Sequence, residues 1–495
     1  MTRGLGMLVL VAACGSVAAC GDDNGRPDVV DGTDDGREAD AEADAEAEAA
    51  LPGVCGDNRT DPGEACDGSD LNGYACATVA AGFVSGTLTC LADCSGFDVS
   101  ACVSGNTINA ASCEETEVRA RIDAAVDGDT VLIPEGTCTW TEAYEFCKSV
   151  VVRGAGIDRT ILIDSTPATD WPIQIPFLIQ GCTDKAVRIS SLTIRDMDAR
   201  DSPGTIFVRG DGIRFRFDHL KLEGLNSRAI HIDGLSWGVI DHCVFDHPTQ
   251  LQITADAGDT DGTGSWSQPM SYGTDRAVFV EDSTFDFDVA LSPYVTDCNY
   301  GGRYAFRHNT VTDGMVGNHG MDTVVRGCLQ MEIYDNAFTS PGAVWIAIGS
   351  RGGSGVAFDN TIDGYEMPFG FTNYRSCCYV APGICLDEFC TCDGTCALDG
   401  NTEPRATYKG WPCKDQVGRG TNQSSEPFYQ WNNTFEGVAA MVDIFATWVN
   451  ETTGATCTDP HPTDHIQQGR DYYDGVARPG YVPFVYPHPL VAVDP

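Results

Sequence analysis

The segment Asn299-Tyr-Gly-Gly-Arg303-Tyr-Ala-Phe-Arg307-His308 puts two arginines and a histidine beside a double glycine, and Gly317-Asn-His319-Gly and Ser350-Arg351-Gly-Gly-Ser follow it. Gly-Gly beside Arg lets the backbone approach a ligand closely, and a guanidinium offers a forked contact to a carboxylate. Arg303, Arg307, Arg326 and Arg351 therefore form a candidate carboxylate-binding set in an otherwise acidic chain. Such a set suits a uronate sugar. Neutralising the C5 carboxylate acidifies the adjacent proton, which a base can then remove. His308 or His319 is the candidate base and Tyr300 or Tyr304 the candidate acid. The competing reading pairs these arginines with nearby acids as surface ion pairs, which are worth little.

A second polar line runs through His219, His242, Asp282, His308, Asp335 and Asp359, each at the third place of a short recurring unit. His242 is a candidate substrate contact, and Asp282, Asp335 and Asp359 are candidate calcium ligands, calcium being the cofactor such acids would take. The alternative is a solvated turn edge. Hydrolysis would need two carboxylates at a fixed gap, and Asp218, Asp241, Asp246 and Glu281 are too many candidates to single out a pair. No P-loop, His-Glu-x-x-His or Gly-x-Ser-x-Gly is present.

The elements that must position these groups are set by a repeat. Apolar strand, turn and apolar residue recur as Phe217-Asp-His-Leu-Lys-Leu222, Ile240-Asp-His-Cys-Val-Phe245, Val280-Glu-Asp-Ser-Thr-Phe285, Phe306-Arg-His-Asn-Thr-Val311, Ile333-Tyr-Asp-Asn-Ala-Phe338, Ala357-Phe-Asp-Asn-Thr-Ile362 and Gln430-Trp-Asn-Asn-Thr-Phe435. The steps are 23, 40, 26, 27, 24 and 73 residues, most of them one coil of a parallel solenoid, the longer two a coil plus a loop. Phe245, Phe285, Phe338 and Phe435 should stack inside it, and Asn309, Asn336, Asn360 and Asn433 should form a ladder that Cys243 and Ser283 interrupt.

The helical spacing of Val118, Ile122 and Ala125, followed by Gly128-Asp-Thr-Val-Leu-Ile-Pro-Glu-Gly136, resembles the opening of pectate-lyase-like chains. That resemblance spans about residues 107–495 and implies a right-handed parallel β-helix with a capping N-terminal helix. Trp237-Gly-Val-Ile-Asp241-His242 is similar to the V-W-I-D-H signature of pectate lyases, but its Trp stands two residues early and no catalytic role transfers. The ending Gly469-Arg-Asp-Tyr to Tyr486-Pro-His-Pro-Leu resembles those of other bacterial β-helix proteins and is expected to cover the open end.

Ahead of the solenoid, Arg3 and the apolar run Leu5–Ala19 suit a secretory signal, and Val-Ala-Ala-Cys ending at Cys14 and at Cys20 resembles the lipobox of bacterial lipoproteins. The expected organisation is a signal at 1–20 with Cys20 lipidated, an acidic disordered linker at 21–53, a disulfide-rich module at 54–103 and the β-helix at 104–495. Cys377 to Cys413 mark a disulfide-stapled insertion at 376–413. Cys55-Gly-Asp-Asn-Arg-Thr-Asp-Pro-Gly-Glu-Ala-Cys66-Asp resembles repeats of secreted myxobacterial proteins, which implies a stalk or spacer. Asp61, Glu64 and Asp67 there read as turn acids rather than calcium ligands.

Composition limits the partners. Thirty Lys and Arg against 72 Asp and Glu leave a formal charge of −42, so the chain would be repelled by nucleic acid. Twenty-three cysteines suit an oxidising compartment. The expectation is an exported outer-membrane lipoprotein that engages an extracellular polysaccharide: a lyase on an acidic glycan, or alternatively a non-catalytic carbohydrate-binding or adhesive β-helix.

Overall fold

A computed structural model of the chain describes residues 54–166, 177–181, 183–196, 205–225, 228–248, 251–258, 264–287, 294–320, 326–372, 415–445 and 466–494. The signal, Cys20, the acidic linker and the 376–413 insertion lie outside the described residues.

The solenoid is a right-handed parallel β-helix whose coils have three faces. The first face stacks Trp237–Asp241, Val278–Glu281, Arg303–Arg307, Gln330–Tyr334 and Ser354–Phe358 in parallel register. The second stacks Val244–Asp246, Thr284–Asp286, Thr310–Thr312, Ala337–Thr339 and Thr361–Asp363. The third stacks Phe177–Gln180, Ile206–Arg209, Ile230–Asp233, Ile253–Asp256 and Thr296–Asn299, and a further block, Ile346–Ser350, Met367–Phe371 and Val442–Ile444, continues it through single bridges. Each strand is hydrogen-bonded to the coils on either side, so parallel pairing meets backbone needs while apolar side chains fill the tube.

The interior follows the repeat. Phe245, Phe285, Val311, Phe338, Ile362 and Phe435 share one register. The Phe245 and Phe285 rings stack at 4.3 Å. The asparagine ladder is also present: Asn336 Oδ1 accepts from Asn309 N at 2.9 Å, Asn360 Oδ1 from Asn336 N at 3.1 Å and Asn433 Oδ1 from Asn360 N at 2.9 Å. The expected interruption does not occur. Ser283 N donates to Asn309 Oδ1, and Ser283 Oγ accepts from Cys243 N at 3.1 Å, so a hydroxyl carries the ladder one coil further.

The residue before each ladder position takes positive φ: His219, His242, Asp282, His308, Asp335 and Asp359 all lie between 51° and 55°. The coil bends from first to second face there. Short polar side chains tolerate left-handed backbone better than branched ones, which accounts for the polar line without a ligand.

Helix Glu115–Ala124 caps the first coil with Val118 and Ile122 buried, and Lys148 Nζ donates to the carbonyls of Ile122, Asp123 and Ala125 at its end. The cysteine-rich module is closed by Cys55–Cys94, Cys66–Cys90 and Cys76–Cys102. Asp67 accepts from the backbone of Gly56 and Asp57, and Glu64 from Asp61 N, which gives those motif acids a turn-forming role.

The module does not stand off as a spacer. Ala65, Tyr74, Phe83 and Phe97 pack in one cluster with Val239, Ala277, Phe279 and Ala305 of the first face. The C-terminal segment meets expectation only at its start, where Tyr472–Asp474 pairs in parallel with Phe428–Trp431 of the last described coil, and beyond that it departs from it. It runs as a strap along the first face toward the early coils: Tyr481 hydroxyl donates to Glu332, Arg307 to the Phe484 and Val485 carbonyls, Arg216 to the Leu490 carbonyl, and Arg188 to Asp494. First-face side chains pointing outward form an apolar and ionic row, and the strap buries it.

Candidate functional site

The strap covers Arg307 and His308 of the expected site, while other contacts take up Arg303, Arg326 and Tyr304. Arg307 is fully buried, its Nε donating to Glu281 at 2.8 Å and its remaining nitrogens to Tyr334 and the strap carbonyls. Arg303 is buried among neutral acceptors, Ser265 Oγ, Ser271 Oγ and two backbone carbonyls, and burial lowers its pKa to about 10. Arg326 makes a forked pair with Asp415 at 2.7 and 2.9 Å. Tyr304 is inside the tube, donating to the Gly317 carbonyl. His308 stacks on Tyr486 of the strap at 3.6 Å, and its burial lowers its pKa. His242 stacks on His219 at 5.1 Å at the first bend and bonds to Asp241.

The expectation that His308, Arg303 and Arg307 act beside His319 is therefore corrected: alternate strand residues point to opposite sides, and these belong to the covered first face or its bend. Nor do the three acids of the bend form a metal cluster among the described residues. Asp282 instead accepts from the Tyr486 hydroxyl at 2.7 Å.

The third face is different, because its outer side carries a groove. Two outward rows are set by register, Phe207, His231, Thr254 and Asp297 in one and Arg209, Asp233, Asp256 and Asn299 in the other. Successive members stand roughly 4.8 Å apart along the stack. A hollow of about 730 Å³ lies over these rows and takes in Tyr300 and His319. A second, of about 510 Å³, holds Arg351, Asn318, Trp345 and Phe445. Both are lined by Arg228, Asp297 and His319, so they are two arms of one depression.

His319 is held from several directions. Its N–H donates to the Cys298 carbonyl at 3.0 Å, its carbonyl accepts from Cys328 N at 2.9 Å, and the Cys298–Cys328 disulfide joins those two neighbours. Its Nδ1 stands 2.7 Å from both Asp297 oxygens, which directs Nε2 away from that carboxylate. Burial alone would raise the Asp297 carboxyl, but the facing His319 ring and Arg351 outweigh it and hold the group below the usual carboxylate range. Arg351 is anchored by Nε donating to the Asn318 carbonyl at 2.8 Å and by its N–H donating to Asn318 Oδ1.

Tyr300 follows the strand Thr296–Asn299 with φ 51°, its N–H donating to the Arg326 carbonyl. Burial, then the charges of Asp256 and Asp233, push its phenol pKa up, so it stays protonated at neutral pH. On the other side, His231 bonds to Asp256 at 3.1 Å and lies flat on Phe207 at 4.4 Å. Burial and then Asp256 raise the Asp233 carboxyl.

Of the sequence candidates, the structure brings His319, Arg351 and Tyr300 into one groove. Sequence reasoning missed Asp297, Arg228, His231, Asp233 and Asp256. A signal existed, since His231-Ile-Asp233, Thr254-Ala-Asp256 and Asp297-Cys-Asn299 alternate polar and apolar residues, the period of a strand with a solvent side.

No protein-family model matches the chain, and no curated protein matches it. Among solved structures it is similar to an alginate lyase from Paenibacillus sp. strain FPU-7, at 14% identity over 52% of this chain and 95% of that one, with a TM-score of 0.32. It is also similar to the A-module of the Azotobacter vinelandii mannuronan C-5 epimerase AlgE4, at 13% identity over 69% of this chain and 92% of that one, with a TM-score of 0.36.

Proposed function

We propose that the chain is an exported polysaccharide-active protein whose third-face groove cleaves a uronate-containing glycan by β-elimination. The observation that carries this reading is the Asp297–His319 pair, set in a groove that also holds Arg351 and Tyr300. Arg351, with Arg228 beside it, receives the C5 carboxylate and stabilises the charge that develops on it. His319 Nε2 takes the C5 proton, Asp297 holding the ring by Nδ1 and balancing the imidazolium that forms. The electron pair of the C5–H bond becomes the C4–C5 double bond as the C4–O glycosidic bond breaks. Tyr300, which lines the same groove, donates its phenolic proton to the departing oxygen.

Disulfides between residues as distant as Cys298 and Cys328 support an oxidising compartment, and the lipobox-like Val-Ala-Ala-Cys20 supports anchoring to the outer membrane.

The test is to incubate the full chain with a panel of uronate polymers and follow absorbance of the unsaturated product. Product with the native chain and none with His319→Ala is the expected result. No product on any polymer, with retention on a polysaccharide affinity gel, would establish a binding module instead.

A further inference from the structure

The two arms of the groove differ in charge, and the difference selects what lies on either side of the reacting uronate. Among the described residues outside the shared centre, one arm presents Asp211, Asp233 and Asp256 against a single guanidinium, Arg209, which stands 3.5 Å from Asp233. Among the described residues the other presents Arg351 and no acid, with an apolar end where Trp345, 43% exposed, meets the Phe445 ring edge-on at 4.7 Å.

The acids of the first arm are already engaged. Asp256 accepts from Asn299 N at 2.9 Å and bonds to His231, while Asp211 accepts from Leu235 N at 2.8 Å. Their neighbours cannot easily turn to bind another anion. A further carboxylate placed there would meet like charge in a partly desolvated site, whereas hydroxyl or amine hydrogens would find acceptors. The net charge of −42 adds long-range repulsion of any polymer that carries a carboxylate on every ring.

We infer that the groove accepts a mixed glycan, in which the uronate held at Arg351 is followed, over the Asp233–Asp256 arm, by a sugar that carries no carboxylate. This rests on the β-elimination reading and narrows its substrate class. The uronate ring lies toward Trp345, whose face suits the C–H side of a pyranose, and the neutral or amino sugar lies toward Tyr300.

The experiment compares the full chain on homopolymeric uronates with its action on polymers alternating uronate with neutral or amino sugars, at two salt concentrations, and repeats it with Asp233→Asn. Preference for the alternating polymers by tenfold or more in kcat/KM is expected. In Asp233→Asn that preference should fall several-fold, mainly through a lower KM on the homopolymer, with an unchanged melting temperature showing that the variant is folded. Equal or better cleavage of homopolymeric uronates would overturn the inference and leave the lyase reading standing. So would a preference unaltered in the folded variant. If no polymer is cleaved, the lyase reading fails, and relative retention on gels of the same polymers still decides the inference. Stronger retention on the alternating polymer supports it, and equal or weaker retention overturns it.

Discussion

His319 and His308 are eleven positions apart and chemically alike in the sequence, yet they face different surroundings. His319 lies in the open groove against Asp297, while His308 lies under the Tyr486 ring. His319→Ala should lower kcat by about 10²–10⁴, the usual contribution of a general base. His308→Ala should leave kcat close to that of the native chain, and equal losses from the two in the unsaturated-product assay would remove His319 from the base role.

Glu332 gives a pH-dependent effect at the same scale. Burial raises its carboxyl from 4.5 to about 6, against the opposing hydrogen bonds from Tyr481, Gly273 and Gln330. The folded state therefore holds this proton more tightly than the unfolded chain does. Its stabilising contribution is complete below the unfolded pKa and is lost as pH rises through about 6, a change of roughly 2 kcal/mol. Glu332→Gln should flatten that part of a melting-temperature profile between pH 4 and 7, and an unchanged profile would show that the group titrates normally.

At the scale of elements, the bend between first and second faces is built from a left-handed residue followed by an inward polar one. Asn336 alone serves Asn309, Asn360 and the carbonyls of Phe306 and Tyr334. Asn336→Ala should cost about 2–3 kcal/mol in urea unfolding, because it leaves several buried backbone groups without partners. A loss below about 0.5 kcal/mol would mean that water replaces the side chain. The Cys298–Cys328 bridge has a local consequence as well. Replacing both cysteines by serine should lower the melting temperature and also reduce turnover, since the backbone of each cysteine holds His319. Lower stability with full turnover would separate the bridge from the site.

For the whole molecule, the cysteine-rich module and the C-terminal strap act as covers for the first face. A chain ending at residue 478 would lose the carbonyls that receive Arg307, leaving the Arg307–Glu281 pair and the Phe279, Tyr334 and Phe358 rings without their lid. Exposed apolar rows of this kind promote association. The shortened chain should bind a hydrophobic dye and melt lower, and native-like behaviour would show that the strap is dispensable.

The solenoid, its phenylalanine stack, its asparagine ladder and the capping helix were all legible in the sequence, because each coil repeats the same steric problem and so repeats the same residue types about two dozen positions apart. The polar line through His242 and Asp335 was legible as a line, and its meaning as a left-handed bend came only from the backbone. Which face stays open could not be read from any local pattern. Arg307 and Arg351 look equivalent in the sequence, and only the strap, arriving from some 180 positions further along the chain, separates a buried ion pair from a groove residue. Spacing along the chain determines which side chains share a row. Long-range packing determines which of those rows meets solvent, and a site needs both.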